Sequence, residues 1–162
     1  MEWKKICCPV DFSEPSRLAL DEAVDLARRL GAELLVVHVN VPLAPSATDV
    51  LVSSRAILEV EGAEEARQLE AWRVEAQERM NAPVKASVLA GDAAAEIAAF
   101  AADQGVDLIV VGTHGRTGVR RLVLGSVAER VARLAPCPVL VVRRREVRDA
   151  EIVAAEVAQY HA

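Results

Sequence analysis

The chain predicts an α/β fold: a single-domain, open, doubly wound parallel sheet of five strands with helical crossovers. Three observations carry this reading. Five short apolar runs alternate with four segments of helical period, in the order β-α-β-α-β-α-β-α-β. The chain has 162 residues, which suits one domain with a substantial core. Hydrophobic residues make up 52% but aromatics only 3%, so Val, Leu, Ile and Ala must fill the interior. That is the composition of a parallel sheet covered by Ala-rich helices.

Lys4 to Val10 is the first apolar run, ending at Pro9-Val10-Asp11. Ser13-Glu14-Pro15 reads as a helix start with proline in its first turn. Leu18, Ala19, Ala23, Leu26, Ala27 and Leu30 follow at helical spacing, and Gly31 supplies the stop. Glu33 to Val39 is a nearly continuous apolar strand. Residues 41 to about 56 lack a clean period and hold two prolines, so they read as an irregular connection. From about 57 to 81 an amphipathic helix places Leu58, Ala66, Leu69, Trp72, Ala76 and Met80 on one stripe. Glu59, Glu61, Glu64 and Glu65 read as its solvated surface.

Val84 to Leu89 is the third strand. Asp92 can cap the next helix, with Ile97, Phe100 and Ala101 inward and Gly105 at its end. Asp107 to Val111 is the fourth strand. A loop runs from Gly112 to Gly125, and a helix from Ser126 carries Val127, Val131 and Leu134 and stops before Pro136. Val139 to Val142 is the last strand, and Pro138 at its start suggests a sheet edge. Residues 146–162 are a C-terminal extension whose Ile152, Val153, Val157 and Tyr160 could form one helical face. Domain 1–145 is therefore set apart from extension 146–162.

The formal net charge of −5 gives no general pull toward nucleic-acid phosphates. Basic residues cluster locally at Arg116, Arg120 and Arg121 and at Arg143 to Arg145, enough to hold a small anion. Cys7, Cys8 and Cys137 form no C-x-x-C pair and read as small buried hydrophobes. The N-terminus has no signal-peptide layout, and no segment approaches the roughly 20 apolar residues of a membrane span. A cytoplasmic location with no membrane partner is the resulting expectation.

The informative stretch is Gly112-Thr-His-Gly115-Arg-Thr-Gly118-Val-Arg-Arg-Leu-Val-Leu-Gly125-Ser126-Val127. It leaves the carboxyl end of a strand and enters a helix, where ligands of doubly wound sheets sit. Glycines there let backbone approach a phosphate, and loop and helix N–H groups suit an anion. Ser126 adds a hydroxyl, and Arg116, Arg120 or His114 add charge or hydrogen bonds. The loop is neither G-x-x-x-x-G-K-[ST] nor a G-x-G-x-x-G after the first strand. A competing reading is purely structural, because Ser126-Val-Ala-Glu129 is also a capping box that would consume helix amides.

Gly112-x2-Gly115-x9-Gly125-Ser126 resembles the nucleotide-binding signature of the ATP-binding branch of the universal stress protein family. Ile6-Cys-Cys-Pro-Val-Asp11-Phe-Ser13 is similar to that family's first strand and turn, and Pro136-Cys-Pro-Val-Leu-Val-Val142 to its last strand. The resemblance spans about residues 3 to 144. It implies an adenine-nucleotide alpha-hydrolase-like sheet in the order 3-2-1-4-5, with the ends of strands 1 and 4 side by side. It implies that Pro9, Val10, Asp11 and Val39 hold adenine and ribose. The phosphates then fall to Gly112, Thr113, His114, Gly115, Arg116, Gly125, Ser126 and Val127. It also implies a homodimer through the last strand; the tail after Arg145 departs from the family's usual end.

Several residues carry two readings. Asp11 either accepts from a ribose or bonds its own turn. Ser13 reads as the cap of the first helix, His38 as a satisfied core histidine, and Trp3 and Trp72 as packing residues. The leading function is an ATP-binding regulatory protein of the stress response, with Mg²⁺ bridging the phosphates, since no carboxylate cluster is evident to hold it unaided. A slow ATPase or adenylyl-transferring enzyme is one alternative; it would use Arg116 and Arg120 against charge and Asp11 as a remote base. A nucleotide-free interaction module is the other. The downstream protein partner has no signature.

Overall fold

The computed structural model describes residues 2–41, 53–113 and 125–143, with backbone only over 53–61. The elements are β1 (Lys5–Pro9), α1 (Glu14–Leu30), β2 (Glu33–Asn40), α2 (Ser53–Met80), β3 (Val84–Ala90), α3 (Ala93–Gln104), β4 (Leu108–Gly112), α4 (Ser126–Leu134) and β5 (Val139–Val142). They form one five-stranded sheet in the order β3-β2-β1-β4-β5, every neighbouring pair parallel. This is the expected order, and β5 takes an edge.

β1, β2 and β4 read as near-continuous apolar runs because helices cover both faces of the sheet there, whereas the edge strand β3 leaves Lys85 and Val88 exposed. Successive side chains alternate between the two layers. Ile6, Cys8, Leu34, Val36, Leu108 and Val110 pack with α1 and α2. Cys7, Leu35, Val37, Ile109 and Val111 pack with α3 and α4. The helix ends follow local chemistry. Ser13 caps α1 by accepting from the Ser16 N–H at 3.4 Å, and Gly31 closes it at φ 65°. Asp92 caps α3 by accepting from the Ala95 N–H at 3.1 Å.

Four details depart from the sequence reading. α2 starts at Ser53, inside the stretch expected to be irregular. Its inward line runs through Leu69, Trp72, Ala76 and Met80 as expected, but Ala66 is exposed and Glu65 is partly buried instead. A helix turns 100° per residue, so stepping back from Leu69 by four selects Glu65, not Ala66. On α1, Leu20 and Val24 are buried while Leu30, beside the C-cap, is 49% exposed. On α4 the buried residues are Ala128 and Val131, with Val127 and Leu134 half-exposed. The expectations for Leu58, for residues 42–52 and for the extension 146–162 lie outside the described residues.

Arg17 of α1 hydrogen-bonds Glu75 of α2, and Arg79 of α2 reaches back to Asp21 of α1. The Arg17 hydrogen bond holds the Glu75 carboxyl below its ordinary range. Arg17 also lies 5.0 Å over the Trp72 ring. Among the described residues, no helix is long and apolar enough to cross a membrane.

The thiols give a first test. Cys7 and Cys8 are fully buried, and burial pushes the Cys7 thiol up to about 12. Cys137 is only partly buried. A thiol-disulfide reagent at pH 8 should label one thiol per native chain, at Cys137, and all three after denaturation. Rapid native labelling of Cys7 would contradict this packing.

Candidate functional site

The site is built where the chain crosses over. After β1 the chain passes into α1 on one face of the sheet; after β4 it passes into α4 on the other. β1 and β4 are adjacent, so their carboxyl ends flank the topological switch point. Pro9 ends β1 with Val10 and Asp11 just beyond it, and Gly112 ends β4 with Thr113 just beyond it. Val39 lies near the end of β2 and packs on the α3/α4 side. Val10 differs, because its side chain is buried on the α1/α2 side. Only its backbone can therefore face a ligand on the α3/α4 side.

Thr113 forms the neck of the glycine-rich loop. Its N–H donates to Val142 O at 3.0 Å, and its carbonyl accepts from the Gly125 N–H. Residues 113 and 125 are thereby held together, which brings the start of α4 to the end of β4. His114, Gly115 and Arg116, together with Arg120, lie outside the described residues.

α4 begins with Gly125 as its N-cap, and no side chain caps its first turn. Ser126 is the first helical residue and is exposed, as is Val127. The capping box is not formed. The Glu129 N–H, which the box would give to Ser126 Oγ, donates instead to the Gly125 carbonyl at 2.9 Å, so the cap lies one residue earlier than the box requires. Glu129 pairs with Arg133 one turn further along instead of folding back. A first turn without a side-chain cap presents backbone N–H groups and the positive end of the helix dipole. Arg130 on the same helix grips the Asp92 carboxylate with two bonds of 2.8 and 2.9 Å, and holds that carboxyl below its ordinary range.

The two glycines have different reasons. A Cβ on Gly112 would lie 2.5 Å from the Pro15 carbonyl oxygen. That glycine serves the close packing of β4 against the start of α1. Gly125 has φ −57° and ψ 145°, which any residue adopts, so its backbone conformation does not require glycine.

At the other wall, Asp11 bonds its own turn. Its Oδ1 accepts from the Ser13 N–H at 3.1 Å and from the Ser13 hydroxyl. Its N–H donates to Ser16 Oγ at 3.3 Å. Phe12 follows at φ 63°, in the left-handed region that non-glycine residues seldom enter. Its ring lies 4.7 Å from that of His38 and meets Trp72 edge-on at 5.4 Å.

His38 is 95% buried, and its Nδ1–H donates to the Val10 carbonyl at 2.8 Å. Its Nε2 comes within 3.3 Å of Glu65 Oε2, without hydrogen-bond geometry. His38 is thus a core histidine, but one attached to the edge of the site. Reading the sequence alone missed this attachment, as it missed Ser16. The signal was present: His38 shares the parity of Leu34 and Val36, which puts it on the α1/α2 side beside Val10.

Comparison with known proteins decides the family. Residues 2–143 match the model of the universal stress protein family. The chain belongs to that family. The universal stress protein MJ0531 of Methanocaldococcus jannaschii is 37% identical over 147 residues, covering 88% of this chain and 83% of that protein. MJ0577 of the same organism, solved as a hypothetical protein, superposes with a TM-score of 0.73 at 32% identity, covering 90% of this chain and 99% of that one. A universal stress protein from Archaeoglobus fulgidus, solved in complex with dAMP, superposes at 0.61 with 23% identity, covering 88% of this chain and 100% of that one. At that identity the last comparison shows the fold alone.

Proposed function

We propose that this universal stress protein is an ATP-binding regulatory protein, with the nucleotide seated across the carboxyl ends of β1 and β4. The observation that carries the reading is the start of α4. Its first turn has no side-chain cap, and the Thr113–Gly125 tether draws it to the switch point. Gly125 needs no unusual φ, so the use of the smallest residue there fits the close approach of a ligand to the backbone. Phosphate oxygens are the acceptors that free helix N–H groups and a positive dipole suit best.

Gly125, Ser126 and Val127 would hold the phosphates through backbone N–H groups and the Ser126 hydroxyl, with Thr113 at the neck. His114, Gly115 and Arg116 complete the proposed phosphate loop. Pro9, Asp11 and Val39 would face the nucleoside with their side chains or backbone, and Val10 with its backbone. One protein of this fold, the universal stress protein of Archaeoglobus fulgidus, was solved in complex with dAMP. Mg²⁺ would shield charge between phosphates; among the described residues no cluster of His, Cys, Asp and Glu is placed to hold a metal by itself. The exposed edge of β5, with Leu140 36% exposed, supports pairing with a second copy. The chemistry needs no secretory compartment, and we place the protein in the cytoplasm.

Calorimetry with Mg-ATP and nucleotide-stripped protein tests this. Micromolar binding is expected in the wild type and none in a folded Gly125→Glu variant, whose carboxylate would stand where the phosphates belong. Equal binding by both proteins would remove the site from the start of α4. No binding by the wild type would leave the chain as an interaction module.

A further inference from the structure

Among the described residues, two polar side chains are counted as buried, Ser16 at 6% and His38 at 5% exposure. They come from different elements, α1 and β2. Both attach to the same peptide group, the one joining Val10 to Asp11. His38 Nδ1–H donates to its carbonyl at 2.8 Å, and Ser16 Oγ accepts from its N–H at 3.3 Å. Ser16 Oγ–H in turn donates to the Ser13 carbonyl at 3.0 Å, and the Ser13 N–H donates to Asp11 Oδ1. We infer that His38 and Ser16 are positioning residues that fix the Val10–Asp11 peptide plane and thereby aim Asp11 at the nucleotide. This inference rests on the nucleotide reading above.

The physical case is one of cost. Burying a hydroxyl and an imidazole is unfavourable unless they are bonded, and here both are used on one plane. A peptide leaving the end of a strand has no ladder partner to orient it. The plane also precedes Phe12, whose φ of 63° is uphill for a residue with a side chain. Such a conformation persists only when its surroundings fix it from several sides. The Val10 carbonyl, the Asp11 N–H and the Phe12 ring are each held, the last by His38 and Trp72. Asp11 therefore reaches the site with its backbone direction already set, which lowers the ordering cost of binding.

Two kinds of measurement test this. Amide exchange needs no nucleotide. His38→Phe keeps an aromatic ring but removes the donor, and it does not touch the Asp11 N–H. It should nevertheless speed exchange of that amide about tenfold relative to Val24→Ala, a buried truncation elsewhere in the same layer. The reciprocal readout covers a His38→Phe variant that fails to fold: in Ser16→Ala the His38 Nδ1 proton should exchange faster. Calorimetry with Mg-ATP should then show both variants weakened about tenfold, the scale of one net hydrogen bond. His38→Asn, which returns an N–H near the Nδ1 position, should bind within about threefold of wild type.

Exchange that responds no more than in Val24→Ala overturns the inference. So does faster exchange with unchanged ATP affinity. If the exchange responds while the wild type binds no ATP, the pinned plane stands and the nucleotide reading falls.

Discussion

Gly112→Ala should unfold part of the population at temperatures where the wild type is intact. The added methyl would sit 2.5 Å from the Pro15 carbonyl oxygen and 2.6 Å from its carbon. Both are backbone atoms, so no rotamer change relieves the contact. β4 and the start of α1 would have to separate at the junction where the site is built. Overpacking of this kind costs about 2–3 kcal/mol. For a domain of this size that is a fall of roughly 5–10 °C in melting temperature. Loss of ATP binding should accompany it, because Thr113 and the loop neck move with Gly112. The reverse split would show that the close approach to Pro15 is not rigid: a melting temperature within a degree of wild type, with binding gone. Differential scanning calorimetry on the purified variant reads the first number and titration reads the second.

Ile6→Ala carries the other large effect. Ile6 lies on the central strand, fully buried, in the layer that faces α1 and α2. Truncation removes buried surface and leaves a cavity whose walls belong to strands and helices packed from several directions. The expected cost is about 3–4 kcal/mol. Leu30→Ala is the matched control. It removes a comparable hydrocarbon from α1, but Leu30 is 49% exposed next to the Gly31 cap. Its cost should stay under about 1 kcal/mol. Urea unfolding with a common m-value separates the two. Equal losses would mean that the inward face of α1 extends through its last turn.

Ile6 marks where pattern reading works, and Gly112 where it stops. Five apolar runs and four helical periods were legible because side-chain alternation and helical spacing are local. The capping residues Ser13 and Asp92 and the terminating glycines Gly31 and Gly105 are equally local, and each stands where its type predicts. The glycine-rich stretch between β4 and α4 was legible for the same reason, and its likeness to a nucleotide signature supplied the sheet order.

What local pattern left open was settled by contacts between distant parts of the chain. Glu65 turns inward and Ala66 outward because α2 must lie over β2 and β3, and the phase of its contact stripe is set by those strands. The capping box over Ser126 to Glu129 does not form because the Glu129 N–H donates to the carbonyl of Gly125, which is itself tied to Thr113. Gly112 answers to Pro15, 97 positions away in sequence. Asp11 follows the end of β1, and the peptide plane before it is held by Ser16 from the next helix and His38 from the neighbouring strand. Residue type and spacing could therefore announce an α/β sheet with a glycine-rich crossover. Which glycine is crowded and which buried histidine bonds the peptide after β1 depend on groups distant in sequence meeting in the fold, and periodicity along one chain carries no term for that.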